Sequence, residues 1–165
     1  IVTEWKAFLS AYPNHPLWQQ VQERIPSARY RKAEVLRDEG DKDGAIAAWR
    51  AFAEEYPTDH RAPRAMLEVG ILLRERKDFE GAITVWRGVT GRYAPSAEAP
   101  VAWISVAMTL EDDLGRLDEA VKEYEALLKQ YGNSGPAREA QARLARLRHA
   151  HEGVGELLAA DADRA

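Results

Sequence analysis

The side chains that could do chemistry are few, and their spacing works against it. Four histidines are the first metal-ligand or general-base candidates. His149 and His151 stand two residues apart in a segment with helical spacing, so their rings point about 200° apart and cannot close on one ion. They read as a solvated helix end. His15 and His60 follow Tyr-Pro steps and read as polar loop residues. Asp41-Lys42-Asp43-Gly44 opens like a calcium loop, but helical spacing resumes at once and the later ligands and closing glutamate are missing. A helix-to-helix turn accounts for it better. The acid pairs Glu54-Glu55 and Asp112-Asp113 are adjacent and diverge on a helix, which makes them poor acid/base partners. Gly88-Val89-Thr90-Gly91 and Gly153-Val154-Gly155 lack the lysine and preceding strand of a phosphate loop. There is no cysteine, hence no thiolate and no disulfide, and the compartment stays open. The reading is a non-enzyme with no catalytic residue, no cofactor and no metal.

Composition narrows the partner. Of 165 residues, 45% are apolar and 30% charged, as in a packed domain rather than a disordered chain. The net charge is -4, with 23 basic residues interleaved among 27 acidic ones, so there is no concentrated basic face for nucleic acid. No apolar run approaches the ~18 residues of a membrane span. The chain opens at Ile1 without a methionine or a basic-then-apolar leader and is read as a window onto a longer protein.

The elements that would position any site come from an internal repeat. Gly44-Ala45-Ile46-Ala47-Ala48-Trp49 matches Gly81-Ala82-Ile83-Thr84-Val85-Trp86 and then Glu119-Ala120-Val121-Lys122-Glu123-Tyr124, at offsets of 37 and 38 residues. The same offsets carry Tyr56 to Tyr93 to Tyr131, and Phe52 to Val89 to Leu127; Pro26, Pro63, Pro100 and Pro136 keep the beat. Each unit reads as two helices, the first opening near its proline, where the missing N–H costs nothing. Small residues (Ala33, Gly70, Ala107) face large ones (Trp49, Trp86, Tyr124), which lets antiparallel helices approach. One such pair cannot bury its rings alone, so the units must stack. The extra residue between Leu110 and Ala120 is expected in the inter-helix turn, where an insertion costs little.

This pattern resembles the tetratricopeptide repeat. The residues that carry the resemblance are Met66, Val69-Gly70, Leu73, Ala82, Trp86 and Val89 in the middle unit. Ala33, Leu36, Ala45, Trp49 and Pro57 carry it in the first, and Trp103, Val106-Ala107, Leu110, Ala120 and Tyr124 in the third. The period exceeds the usual length of about 34 residues, and the closing proline survives only at Pro57. The Tyr-Pro-x-x-x-x-Ala wording is similar to the bacterial cell-envelope branch, the Tol-Pal-associated and outer-membrane-assembly lipoproteins, and the Trp-Arg-x-Phe-x-x-x-Tyr-Pro run to helical regions of large bacterial alpha-2-macroglobulin-like proteins. The resemblance implies an all-α, right-handed α-solenoid of antiparallel helix pairs, with a peptide groove on the first helices. Carried over, that groove takes Tyr30, Glu34, Arg37 and Asp38, then Arg64, Leu67, Ile71, Arg74 and Glu75, then Val101, Ile104, Met108, Glu111 and Asp112. Leu67, Ile71, Val101, Ile104 and Met108 would form an apolar patch rimmed by charge, a mark of an interaction site. Packing of the same residues against the next helix, or against another domain of the same longer chain, is the competing account.

The expected organisation is a second helix of a truncated repeat over 1–13, an extra short helix, a linker or a proline-bent extension of the helix that begins at Pro26 over 14–25, and repeats over 26–62, 63–99 and 100–137. The first helix of a further repeat follows over 138–152, then an acidic, alanine-rich tail over 153–165 that is a frayed or capping helix. Trp5 and Phe8 are expected to be partly uncovered. The functional expectation is a scaffold whose concave face takes a peptide or partner domain, with a helical spacer inside a larger envelope or secreted protein as the alternative.

Overall fold

The computed structural model describes the backbone of residues 1–162 and the side chains through His149. All regular structure among the described residues is helical, in the all-α, helix-pair class expected. The order is α1 (Val2–Ala11), α2 (Trp18–Asp38), α3 (Lys42–Glu55), α4 (Ala62–Glu75), α5 (Phe79–Arg92), α6 (Glu98–Met108) continuing into a π turn (Thr109–Asp113), α7 (Leu117–Tyr131) and α8 (Gly135–Ala162). The chain divides into two compact units, Ile1–Val85 and Trp86–Ala165, and the division falls inside α5.

In the first unit, residues 14–25 form no separate helix; of the alternatives, the extension of the Pro26 helix is the one found. They lead into α2, which runs unbroken past Pro26. The proline removes one helical donor from the Gln22 carbonyl, and Gln22 is exposed, so water can serve that oxygen. The Trp18 indole N–H donates to the Leu9 carbonyl at 3.1 Å, tying α2 to α1. No residue of α1 is fully buried, and Trp5 and Phe8 are half-buried. Ala45, Trp49 and Phe52 of α3 are buried together with Ala33 of α2 and Ala65, Val69 and Leu72 of α4. Burying a ring such as Trp49 contributes roughly 2–3 kcal/mol.

The ends of the first helices are built alike in all three repeats. Gly40, Lys77 and Gly115 hold φ of +85°, +63° and +65°. The amides of Asp41, Asp78 and Arg116 each reach back to the carbonyls of Leu36, Leu73 and Leu110 at 2.8, 2.9 and 2.8 Å. The next helix then starts on a side-chain cap. Asp41 accepts from the Gly44 amide at 2.9 Å and Asp78 from the Gly81 amide at 3.0 Å. This is the role of the Asp-Lys-Asp-Gly run. A Cβ on either glycine would overlap the capping carboxylate. In the third repeat both partners change together: Arg116 stands for the aspartate, Glu119 for the glycine, and they pair at 2.6 Å.

In the second unit the extra residue is not in the inter-helix turn. Leu36 to Gly40 and Leu73 to Lys77 span four steps, whereas Leu110 to Gly115 spans five. The added residue widens the last turn of the first helix into the π turn Thr109–Asp113. The turn after it keeps its left-handed glycine, and the bond from Arg116 to Leu110 closes over six residues where the other two close over five, so the helix end takes up the insertion as a bulge. The unit is further tied by Trp103, whose indole donates to Glu123 at 2.8 Å, and by Tyr131, whose hydroxyl donates to the Ala94 carbonyl at 2.8 Å. A single helix, α8, replaces the expected helix over 138–152 and the tail: it runs from Gly135 to Ala162. Residues 163–165 lie outside the described backbone.

Candidate functional site

Nine of the fourteen expected groove residues lie in the first unit. Tyr30 and Arg37 stand on α2, and Arg64, Leu67, Ile71 and Arg74 on α4. The acid that organises them, Glu68, was not among the expected residues. It is buried, pairs with Arg64 one turn away at 2.6 Å, and lies 3.9 Å from Arg37. Its signal in the sequence was an acid inside an otherwise apolar run, Met66-Leu67-Glu68-Val69-Gly70, four residues after an arginine. Arg37 also grips Asp38 through two N–H groups at 3.0 and 2.9 Å and lies 5.6 Å from the Trp49 ring centroid. Tyr30 stacks edge-on against Phe52 at 5.4 Å. Burial raises the Tyr30 phenol, Glu34 and Glu68 add to that, and Arg64 and Arg37 oppose it.

The apolar members divide. Leu67 is 2% exposed and Ile104 is 7% exposed, so these two belong to the packed interior, because their helix faces are covered. Ile71 and Met108 are half-buried, and Val101 is exposed. Val101, Ile104 and Met108 all stand on α6 in the second unit. A separate open groove of about 950 Å³ lies in the first unit between α1, α2 and α3, lined by Ala28, Lys32, Leu36, Ala47, Ala48 and Ala51 among others. None of the fourteen expected residues lines it.

The densest polar arrangement is in the second unit. Glu111, at the π turn, has a side chain only 7% exposed. It accepts from the Tyr124 hydroxyl at 2.7 Å and from Arg143 at 2.9 Å, and also pairs with Arg146. Arg143 reaches Asp112 and Glu139 as well, each at 3.0 Å. Burial alone would raise the Glu111 carboxyl; the bonds from Tyr124, Arg143 and Arg146 outweigh it and hold the group below its ordinary value. Burial, with Glu111, pushes the Tyr124 phenol up. Burial opposes the charge on Arg143, but Asp112, Glu111 and Glu139 more than restore it. Every resolved shift among the described residues moves its group's titration farther from pH 7. The arrangement is suited to holding fixed charge rather than passing protons near pH 7.

The remaining candidates scatter. His149 is exposed on α8, and the side chain of His151 lies outside the described residues. His60 is exposed, and His15 accepts the Leu17 amide at 3.1 Å. Among the described residues, no three potential metal ligands of the His, Cys, Asp or Glu type come together, and no helix is long and apolar enough to cross a membrane.

Antiparallel helix pairs repeating at 37–38 residues, with small residues set against buried rings, define a helical-repeat scaffold. The chain belongs to the tetratricopeptide repeat family, which residues 30–97 and 109–163 match. Repeats of this family generally mediate protein–protein interactions and are typically non-catalytic. No curated protein matches the chain.

Proposed function

We propose that this chain is a non-catalytic scaffold that binds a peptide or partner domain along the face made by its first helices. The observation that carries the reading is the grouping of Tyr30, Arg37 and Arg64 around the buried Glu68, with Ile71 one turn beyond on α4. The acid pairs with Arg64 and lies 3.9 Å from Arg37, which Asp38 grips, and Arg64 still presents about half of its side chain to solvent. Fixed, partly solvated arginines beside a tyrosine are what an interaction surface uses for orientation, because little side-chain entropy is left to lose. A photo-crosslinking residue at position 64 should capture an interacting peptide selected from a library, and one at the exposed Arg50 of α3 should not. The double variant Tyr30→Ala with Ile71→Asp, if helical content is kept, should lose that peptide. Capture through position 50 alone, or unchanged binding by the double variant, defeats the proposal.

The burial of Leu67 and Ile104 favours a second reading, a structural spacer in a longer envelope or secreted protein whose groove is filled by its own chain. On that reading neither position captures a peptide.

A further inference from the structure

The described part of α8 is thinly anchored by apolar contact. From Gly135 to His149 it buries Ala137, Ala140 and Leu144, whereas α4, a helix of similar length, buries Leu67, Val69, Leu72 and Leu73 besides its alanines. The hydrophobic driving force scales with buried apolar area, so two alanines and one leucine hold α8 far less firmly than four large side chains hold α4. What α8 has instead is charge. Arg143, 15% exposed, is held by Glu111, Asp112 and Glu139, and Arg146 joins it on Glu111. The pair of Arg148 and Glu125 is solvated on both sides and adds little.

Two acids of this cluster lie in the turn that carries the inserted residue. The π turn holds both Glu111 and Asp112, and the same turn sets Glu111 against the Tyr124 hydroxyl. In the first repeat the position of Glu111 is taken by Arg37, which faces the acid Glu68 with the opposite polarity. We propose that the π turn and Arg143 form a latch, and that α8 is a strap which undocks from α6 and α7 as a unit, at a frequency set by that latch. Removing one partner strands a poorly solvated charge in the docked state, so the docked state weakens while α6 and α7 keep their own contacts.

Hydrogen exchange on the full chain tests this. In the wild type the amides of residues 138–149 should exchange faster than those in the middle of α6 and α7. Arg143→Met, which keeps the apolar stem, and Glu111→Gln, which keeps a hydrogen-bonding group for Tyr124, should each accelerate the α8 amides on the order of tenfold, with those amides still exchanging faster than the middle of α6 and α7. Equal exchange of α6, α7 and α8 in the wild type, or no acceleration of α8 in either variant, overturns the strap.

Discussion

The Tyr124 hydroxyl donates to Glu111 at 2.7 Å, and the two equivalent repeat positions in the first unit hold Trp49 and Arg37, with the guanidinium 5.6 Å from the indole centroid. The same contact between a first helix end and a second helix ring is thus made twice with different chemistry. A cation over a ring needs no donor from that ring; a buried phenol does need a partner. The Trp49 indole nitrogen, by contrast, is buried without an acceptor.

The two halves of the Tyr124–Glu111 contact should not be equivalent on mutation. Tyr124→Phe removes one hydrogen bond and leaves Glu111 with its arginines, so it should cost about 1 kcal/mol. Glu111→Ala leaves the buried hydroxyl without its acceptor and removes one acid from Arg143, so it should cost about 2–4 kcal/mol. Urea denaturation of both variants checks the order, and a larger loss in Tyr124→Phe would contradict it.

Acid should act through the same carboxylate. Glu111 is held below its ordinary value of 4.5, so its contribution is complete above that pH and is lost as pH falls through the lowered folded value. Asp59, lowered chiefly by its bonds from Arg61, titrates in the same direction. The difference in unfolding free energy between wild type and Glu111→Gln should therefore be flat from pH 6 down to about 4.5 and shrink below it. A difference that grows on acidification would contradict the assignment.

Lys77 occupies the left-handed position that Gly40 and Gly115 fill in the other repeats, at φ +63°. A side chain there costs roughly 1–2 kcal/mol, partly offset because glycine loses more entropy on folding. Lys77→Gly should raise stability by about 0.5–1 kcal/mol by thermal or chemical denaturation. A destabilised variant would show that the lysine side chain contributes something the backbone geometry does not reveal.

Much of the fold was legible because its determinants are local and periodic. The small-large alternation of Ala45 and Trp49, Ala82 and Trp86, and Ala120 and Tyr124 reports which helix faces must be buried, and all six residues are buried. The candidate groove was less legible. Helical phase places Leu67 and Ile71 on one face, but only the neighbouring helices decide that the first is covered and the second half-open.

What the amino-acid order determined by itself is the set of helices, their pairing and their rings, since periodic burial and capping depend on residues within a turn or two of one another. What only the tertiary structure decided is where long polar side chains find partners. Glu68 gathers Arg64 and Arg37 from two helices, and Glu111 gathers Tyr124, Arg143 and Arg146 from two others. It also decided that one inserted residue became a π turn rather than a longer loop. A buried charge takes its value from every group around it, and those groups are brought together only when the helices pack.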